Sequence, residues 1–504
     1  MRYLLALLAA LSISLVSFAG CGDDQSASTP TSLVPAGSAV YGEVTLKPEG
    51  EQKQAVESLI EKFPGAEDAQ TRVKALLEKL FEEQGEGLSY SQDVEPWLGD
   101  KAAFFVSRVE ARDESDGAAL VATEDEGKTE DAIEKATHGK GRAASYRDHD
   151  YTLTRGDAAG VVDGWLVVGS RAGFKAVVDT VEDGSTIEDD ERYRRAIDGI
   201  DDNRLGFLYL DMEEVLAGTP GAAMFADQLK GAFKDPYVAT FDADEDGAEF
   251  EADMPESLGT LFPFLGRGSE LVGQLPADSW LALGQPDLGK TIEGFVDLFA
   301  RAAGGRDAIE QQLRAATGLD LDRDVLSWMG DFGVFVRGTS VDDLNGALVV
   351  ETTDESASAR FIGRLRTLLR RQGEARIGPL TAPGGGKGFT IHAADTPAPV
   401  HIFQRDGRVV LAYGNDAAAD ALDPAQKLAD SSDFEAAADS LGGGYLVSFY
   451  LAAAPIIDLV ESTGAASDPD WQDVKPYLEP LVALIGGASG EGDALRSAFK
   501  VIVK

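Results

Sequence analysis

The sequence predicts an α+β protein built as two tandem homologous copies, each a mainly antiparallel sheet packed with helices. Three observations carry that expectation. First, DVEPWLGDKAAFFV, from Asp93 to Val106, returns as DVLSWMGDFGVFV, from Asp324 to Val336, with a Trp two residues before a Gly-Asp pair and an apolar run behind it. Second, the matches are collinear at a period of about 240 residues, which is domain-sized rather than solenoid-sized. Third, alternating runs and runs with apolar residues three and four apart are interspersed without strict βαβ order, which favours antiparallel sheets over a parallel one.

In chain order the first segment is a leader. Arg2 is a positive start, Leu4 to Phe18 is almost unbroken apolar sequence, and Phe18-Ala19-Gly20-Cys21 ends it. This resembles a bacterial lipobox, so residues 1–21 read as a lipoprotein signal peptide. The resemblance implies diacylglycerol on Cys21 and cleavage before it. Residues 22–31 are short and polar, as a flexible tether should be. Copy 1 is expected over residues 32–256. A bridge, Ser257 to Glu270, and copy 2 follow over residues 257–504.

Within the copies, Val34-Pro35-Ala36-Gly37-Ser38 matches Leu275-Pro276-Ala277-Asp278-Ser279, each before a strand-like run (AVYGEV and WLALGQ). DGAALVATED matches NGALVVETTD, and a helical stretch follows each, TEDAIEKA and SARFIGRLRTLLRR. DYTLT is set against GFTIH, which places Tyr151 opposite Phe389, and DGWLVVGS against DGRVVLAYG. Tyr193 and Ala196 then match Phe434 and Ala437. Copy 1 closes on YVATFDADEDGAEFEADM, two alternating runs joined at Asp246-Gly247, which is a hairpin signal. Copy 2 closes on LVALIGG and ALRSAFKVIVK.

Composition limits the function classes. Lys and Arg number 45 against 87 Asp and Glu, a formal net charge of −42, so the body is expected to be repelled by anionic headgroups and by nucleic acid, and nucleic acid is not an expected partner. Cys21 is the only cysteine, which excludes an intramolecular disulfide and a cysteine metal cluster. Beyond the leader, no segment has the apolar length of a membrane helix.

Three patterns could carry chemistry. GQPDLGKT, Gly284 to Thr291, satisfies the P-loop pattern between a strand-like and a helix-like run. However, Asp287 would repel phosphates, Pro286 lacks a donor, and copy 1 has no counterpart, so Lys290 is expected to be dispensable. DADEDGAEFEAD offers Asp242, Asp244, Asp246 and Asp253 in a calcium-loop-like spacing, which makes them a calcium candidate; no other cofactor is implied. The flanks nevertheless alternate like strands, and a solvated hairpin turn competes with that reading. The four histidines, His149 and His401 among them, show no ligand spacing and are expected at the surface. Trp97 and Trp328 are expected to plug the core rather than stack on sugars.

With its lipobox, its Pro-Ala starts, the Trp-Leu-Gly-Asp strand start, the Asp-Gly strands and the Tyr/Phe-x-x-Ala helices, the chain resembles the bacterial domain-of-unknown-function family 3352. That resemblance implies an envelope-associated protein and supplies no catalytic residues. The expected function is a lipid-anchored protein on the extracytoplasmic face of a bacterial membrane. It would act non-enzymatically, binding or scaffolding an envelope protein or small ligand. The alternative is an envelope hydrolase using Asp/Glu pairs.

Overall fold

A computed structural model describes residues 28–83, 87–108, 116–154, 157–201, 203–218, 235–255, 266–300, 305–373, 376–392, 396–489 and 494–504. Residues 1–27, Cys21 and most of the tether among them, lie outside the described residues, as does 256–265 of the bridge. The chain divides into two compact units, Met1–Asp253 and Met254–Lys504.

Among the described residues, unit 1 contains ten strands: β1 (Val40–Thr45), β2 (Leu98–Arg108), β3 (Asp116–Thr123), β4 (Arg142–Tyr146), β5 (His149–Thr154), β6 (Asp157–Val162), β7 (Trp165–Ser170), β8 (Gly206–Leu210), β9 (Tyr237–Ala243) and β10 (Gly247–Pro255). Every neighbouring pair is antiparallel, in the order β10-β9-β8-β1-β2-β3-β7-β6-β5-β4. Helices α1 (Gly50–Glu61) and α2 (Ala69–Glu83) join β1 to β2, and α3 (Glu126–Ala136) joins β3 to β4. After β7 come α4 (Arg171–Asp183) and α5 (Glu191–Ala196), then β8 and α6 (Met212–Gly218).

Unit 2 runs β11 (Leu281–Gln285), α7 (Leu288–Ala300), α8 (Arg306–Thr317), β12 (Met329–Arg337), β13 (Asn345–Thr352), α9 (Glu355–Gln372), β14 (Arg376–Pro379), β15 (Lys387–His392), β16 (Val400–Arg405) and β17 (Arg408–Tyr413). It continues with α10 (Asn415–Asp420), α11 (Ser432–Ser440), β18 (Leu446–Ala452), α12 (Ala453–Ser462), α13 (Pro469–Leu478), β19 (Leu481–Ser489) and β20 (Ala494–Val503). Its antiparallel order is β20-β19-β18-β11-β12-β13-β17-β16-β15-β14.

Both faces of each sheet are covered in part, and this explains why runs such as GAALVAT read as continuous rather than alternating. In unit 1, Tyr41, Phe105, Leu120 and Val167 pack one face against Phe174 and Val177 of α4. Trp97, Leu98, Val121 and Leu166 pack the other against Leu77 and Phe81 of α2 and Ala132 of α3. In unit 2, Ala282, Phe335, Val349 and Val410 meet Ala417 and Ala418 of α10. Opposite them, Trp328, Phe332, Val350 and Val409 meet Ile362 of α9. All the described core side chains lie between Leu33 and Val503.

The two tryptophans sit in the same local device. Each follows a single π-type turn, Tyr90–Val94 or Leu321–Val325, and each indole N–H donates to a carbonyl of its own turn, Trp97 to Asp93 O at 2.5 Å and Trp328 to Asp324 O at 3.3 Å. The carboxylates of those aspartates close the turns. Asp93 Oδ2 accepts from Ser89 N at 2.7 Å and Lys135 Nζ of α3 at 2.5 Å; Asp324 Oδ2 accepts from Asp320 N at 2.9 Å and from Arg364 of α9. Farther along, the rings of Tyr193 and Phe434 each meet the next strand edge-on, at 5.2 Å from Tyr209 and 5.2 Å from Tyr450.

One sequence pairing is corrected. Tyr151 packs with Ala158 and Phe174, whereas Phe389 packs with Trp328 on the other face of its sheet. The register runs Ala118–Gly169, Ala158–Gly169 and Leu153–Ala158 in unit 1, and Ala347–Ala412, His401–Ala412 and Thr390–His401 in unit 2. Leu153 therefore corresponds to Thr390, one residue away from the sequence match. In a strand, a one-residue slip exchanges faces, so similarity between two short alternating runs cannot fix it.

Candidate functional site

The groups best placed for chemistry converge on one face of β1, β8, β9 and β10 in unit 1. Alternation puts Tyr41 and Glu43 of β1, Phe207 and Tyr209 of β8, and Thr240 and Asp242 of β9 on the same side. Glu251 of β10 stands opposite Thr240 and Glu249 opposite Asp242. Glu43 accepts from the Tyr41 hydroxyl at 2.5 Å and from Arg204 at 2.8 Å. The Arg204 guanidinium lies 4.6 Å over the Phe207 ring, and Tyr193 of α5 closes the box with ring centroids 6.0 Å from Tyr41 and 6.4 Å from Phe207.

Asp242 is the unusual member. Burial raises its carboxyl to about 6, and the nearby Glu251 charge adds to the rise, against opposing pulls from Thr240, Arg204 and the Leu205 amide. Its Oδ1 is buried without a hydrogen-bond partner. Such a group changes protonation near neutral pH, which no ordinary aspartate does. In unit 2 the register positions of Tyr41 and Glu43 hold Ala282 and Gly284, so the box belongs to unit 1 alone.

The four calcium-candidate aspartates do not converge. Asp242 is on β9; Asp253 stands opposite Val238, four rungs or about 13 Å along the same hairpin. Asp244 Oδ1 accepts from the amides of Asp246 and Gly247, at 2.8 Å each, and so holds the turn. Among the described residues no three His, Cys, Asp or Glu side chains are grouped to hold a metal ion.

GQPDLGKT does join a strand to a helix, β11 to α7, with Pro286 and Asp287 between them. The Asp287 amide donates to Asp331 Oδ1 at 3.3 Å, and Lys290 Nζ reaches Asp287 Oδ2 at 2.7 Å on the surface. Both motif glycines have packing reasons. A Cβ on Gly284 would stand 2.7 Å from Phe332 O, and one on Gly289 2.7 Å from Leu326 O.

His401 is not at the surface, contrary to expectation; it is wholly buried. Nδ1 lies 3.0 Å from Thr390 Oγ1 and Nε2 3.0 Å from Asn415 Oδ1, so both ring nitrogens are satisfied without charge. Burial pushes its pKa below the ordinary value. Alternation along VHIFQR predicts which face His401 occupies, but not that α10 will cover that face and supply Asn415. His149 lies within 3.3 Å of Glu182 and is partly exposed, a position compatible with the surface reading. Trp97 and Trp328 are 4% and 2% exposed, which places them in the core. Among the described residues, no helix is long and apolar enough to cross a membrane.

A family model described as "Protein of unknown function (DUF3352)" matches residues 4–469. The comparison with curated proteins gave no match. Among solved structures, crystal form III of TP0453 is similar at 11% identity with a TM-score of 0.25, covering 46% of this chain and 81% of that one. Crystal form IV of TP0453 gives 11% identity and a TM-score of 0.24, covering 46% and 83%.

Proposed function

The chain belongs to the DUF3352 family, and from that premise we propose that it is a lipid-anchored protein of the bacterial envelope, exposed on the extracytoplasmic face, that binds or scaffolds a partner without catalysis. The observation that carries the reading is Cys21, the sole cysteine of the chain, placed directly behind an apolar leader and Phe18-Ala19-Gly20. Two acyl chains, at about 0.8 kcal/mol per buried CH₂, would anchor it stably where one chain is marginal. The body would be two tandem copies of one ancestral unit. Support comes from the matching strand orders, the paired Trp97 and Trp328 turns and the paired Tyr193 and Phe434 contacts.

The non-enzymatic part is supported by where the reactive groups are spent. Asp93 and Asp324 close turns, Lys290 pairs with Asp287, and His401 is a neutral core residue. The rival reading, a hydrolase using paired carboxylates, draws on Asp242 beside Glu251, since an acid titrating near 6 is suited to proton transfer. Crosslinking in intact cells separates the two. A scaffold should yield discrete adducts that are retained in Asp242→Asn. Absence of any adduct, together with a hydrolytic activity abolished by Asp242→Asn, would transfer the proposal to the rival.

A further inference from the structure

We propose that the exposed arginine stripe of α9 is an electrostatic docking surface for anionic lipid headgroups. In a chain of net charge −42, the eighteen residues of α9 carry Arg360, Arg364, Arg366, Arg370 and Arg371 against one acid, Glu355. The fold does not demand this. The helix in the same position of unit 1, α3, has Lys128 and Lys135 against Glu126, Glu130, Asp131 and Glu134.

Arg360, Arg364, Arg370 and Arg371 are exposed; Arg360, Arg364 and Arg371 recur at helical spacing and share one face about 16 Å long, and Arg370 stands about 100° to the side of Arg371. Two local roles account for part of the set. Arg364 is held by Asp324, and Arg370 with Arg371 complements the helix dipole in the last turn. Neither role explains Arg360 in the second turn, whose local relation is to the charge of the N-cap Asp354. Among the described residues, no carboxylate forms an ion pair with Arg360, Arg370 or Arg371.

The chemistry of the partner follows from what the helix has left to offer. Its apolar side is already used: Phe361 packs 5.4 Å from Trp328, and Ile362 is buried in the same core. Insertion into acyl chains is therefore closed to it, and charge is what remains. The choice of a lipid surface rests on the tethered reading, in which residues 22–31 would keep the start of unit 1 within about 35 Å of a bilayer and so hold the chain near it. At physiological ionic strength charges act over about 8–10 Å, so the acidic remainder repels weakly while a local basic face is attracted. The stripe would thus set which side of unit 2 meets the membrane.

Co-sedimentation with vesicles tests this on the chain from residue 22 onward, which keeps every described core residue and removes both leader and Cys21. Vesicles containing phosphatidylglycerol should bind the protein, purely zwitterionic vesicles should not, and added salt should release it. With each basic residue worth about 1 kcal/mol near such a surface, the triple variant R360Q/R370Q/R371Q should lose binding on the order of a hundredfold. The same three positions changed to Lys should retain it. Equal binding to both vesicle types, no binding at low salt, or full binding by the folded triple Gln variant would overturn the proposal. Lipid anchoring plays no part in this assay, so its outcome is independent of whether Cys21 is acylated.

Discussion

Replacing Asp242 with Asn should stabilise the protein at neutral pH and leave it unchanged in acid. The carboxyl titrates at about 6 in the folded chain against an ordinary 3.8, with burial the leading cause. A folded value above the unfolded one means that the native state holds its proton more tightly. The contribution of Asp242 to stability is therefore fully present below about pH 4 and is lost as pH rises through the folded value. A rise of that size corresponds to about 3 kcal/mol at full effect. Because the side chain is only half-buried, solvent screening reduces this to about 1–2 kcal/mol. Urea denaturation at pH 4 and pH 7.5, followed by far-ultraviolet circular dichroism, measures both ends. The gain of Asp242→Asn should be confined to pH 7.5. An equal effect at both pH values, or destabilisation at pH 7.5, would show that the carboxyl is not held in an unfavourable ionised state.

Asp324→Asn should act in the opposite sense. Arg323 and Arg364 hold this carboxyl well below the usual carboxylate range, so its contribution is present above the ordinary 3.8 and is lost as pH falls toward the folded value. Both arginines are partly exposed, so a loss of about 2–3 kcal/mol at pH 7, vanishing in strong acid, should appear in the same denaturation assay. His401→Ala should cost about 2–3 kcal/mol by leaving Thr390 and Asn415 unsatisfied. Because burial lowers the His401 pKa, wild-type stability from this residue should fall as pH drops below about 6.5, and that slope should be absent from the variant. Lys290→Ala removes an exposed pair, so a change under about 0.5 kcal/mol in stability and no ATP heat by calorimetry in either protein are expected.

What was legible in the sequence was whatever is written in neighbouring residues. The Asp246-Gly247 turn between two alternating runs fixed the β9–β10 hairpin, and the Trp-x-Gly-Asp motifs marked the starts of β2 and β12. What was not legible depends on partners far along the chain. Asp93 and Asp324 are ordinary acids until α3 and α9 bring Lys135 and Arg364 to them. His401 is exposed or buried according to whether α10 lies on its strand. The Tyr41, Glu43, Arg204 and Asp242 box draws on β1, β9 and the segment before β8, separated by up to about 200 residues; only the raised Asp242 lay within a pattern that sequence spacing singled out. The slip between Tyr151 and Phe389 has a different origin. DYTLT and GFTIH are similar in type, yet only cross-strand hydrogen bonding decides which residue faces which core.

The central claim is the anchor, and the N-terminal peptide of the protein purified from bacterial membranes tests it most directly. Mass spectrometry should find a mature chain beginning at Cys21 and carrying diacylglycerol, while Cys21→Ser should accumulate as the unprocessed precursor without lipid. A wild-type chain retaining Met1 to Gly20, or cleaved elsewhere and bearing no lipid, would contradict the account.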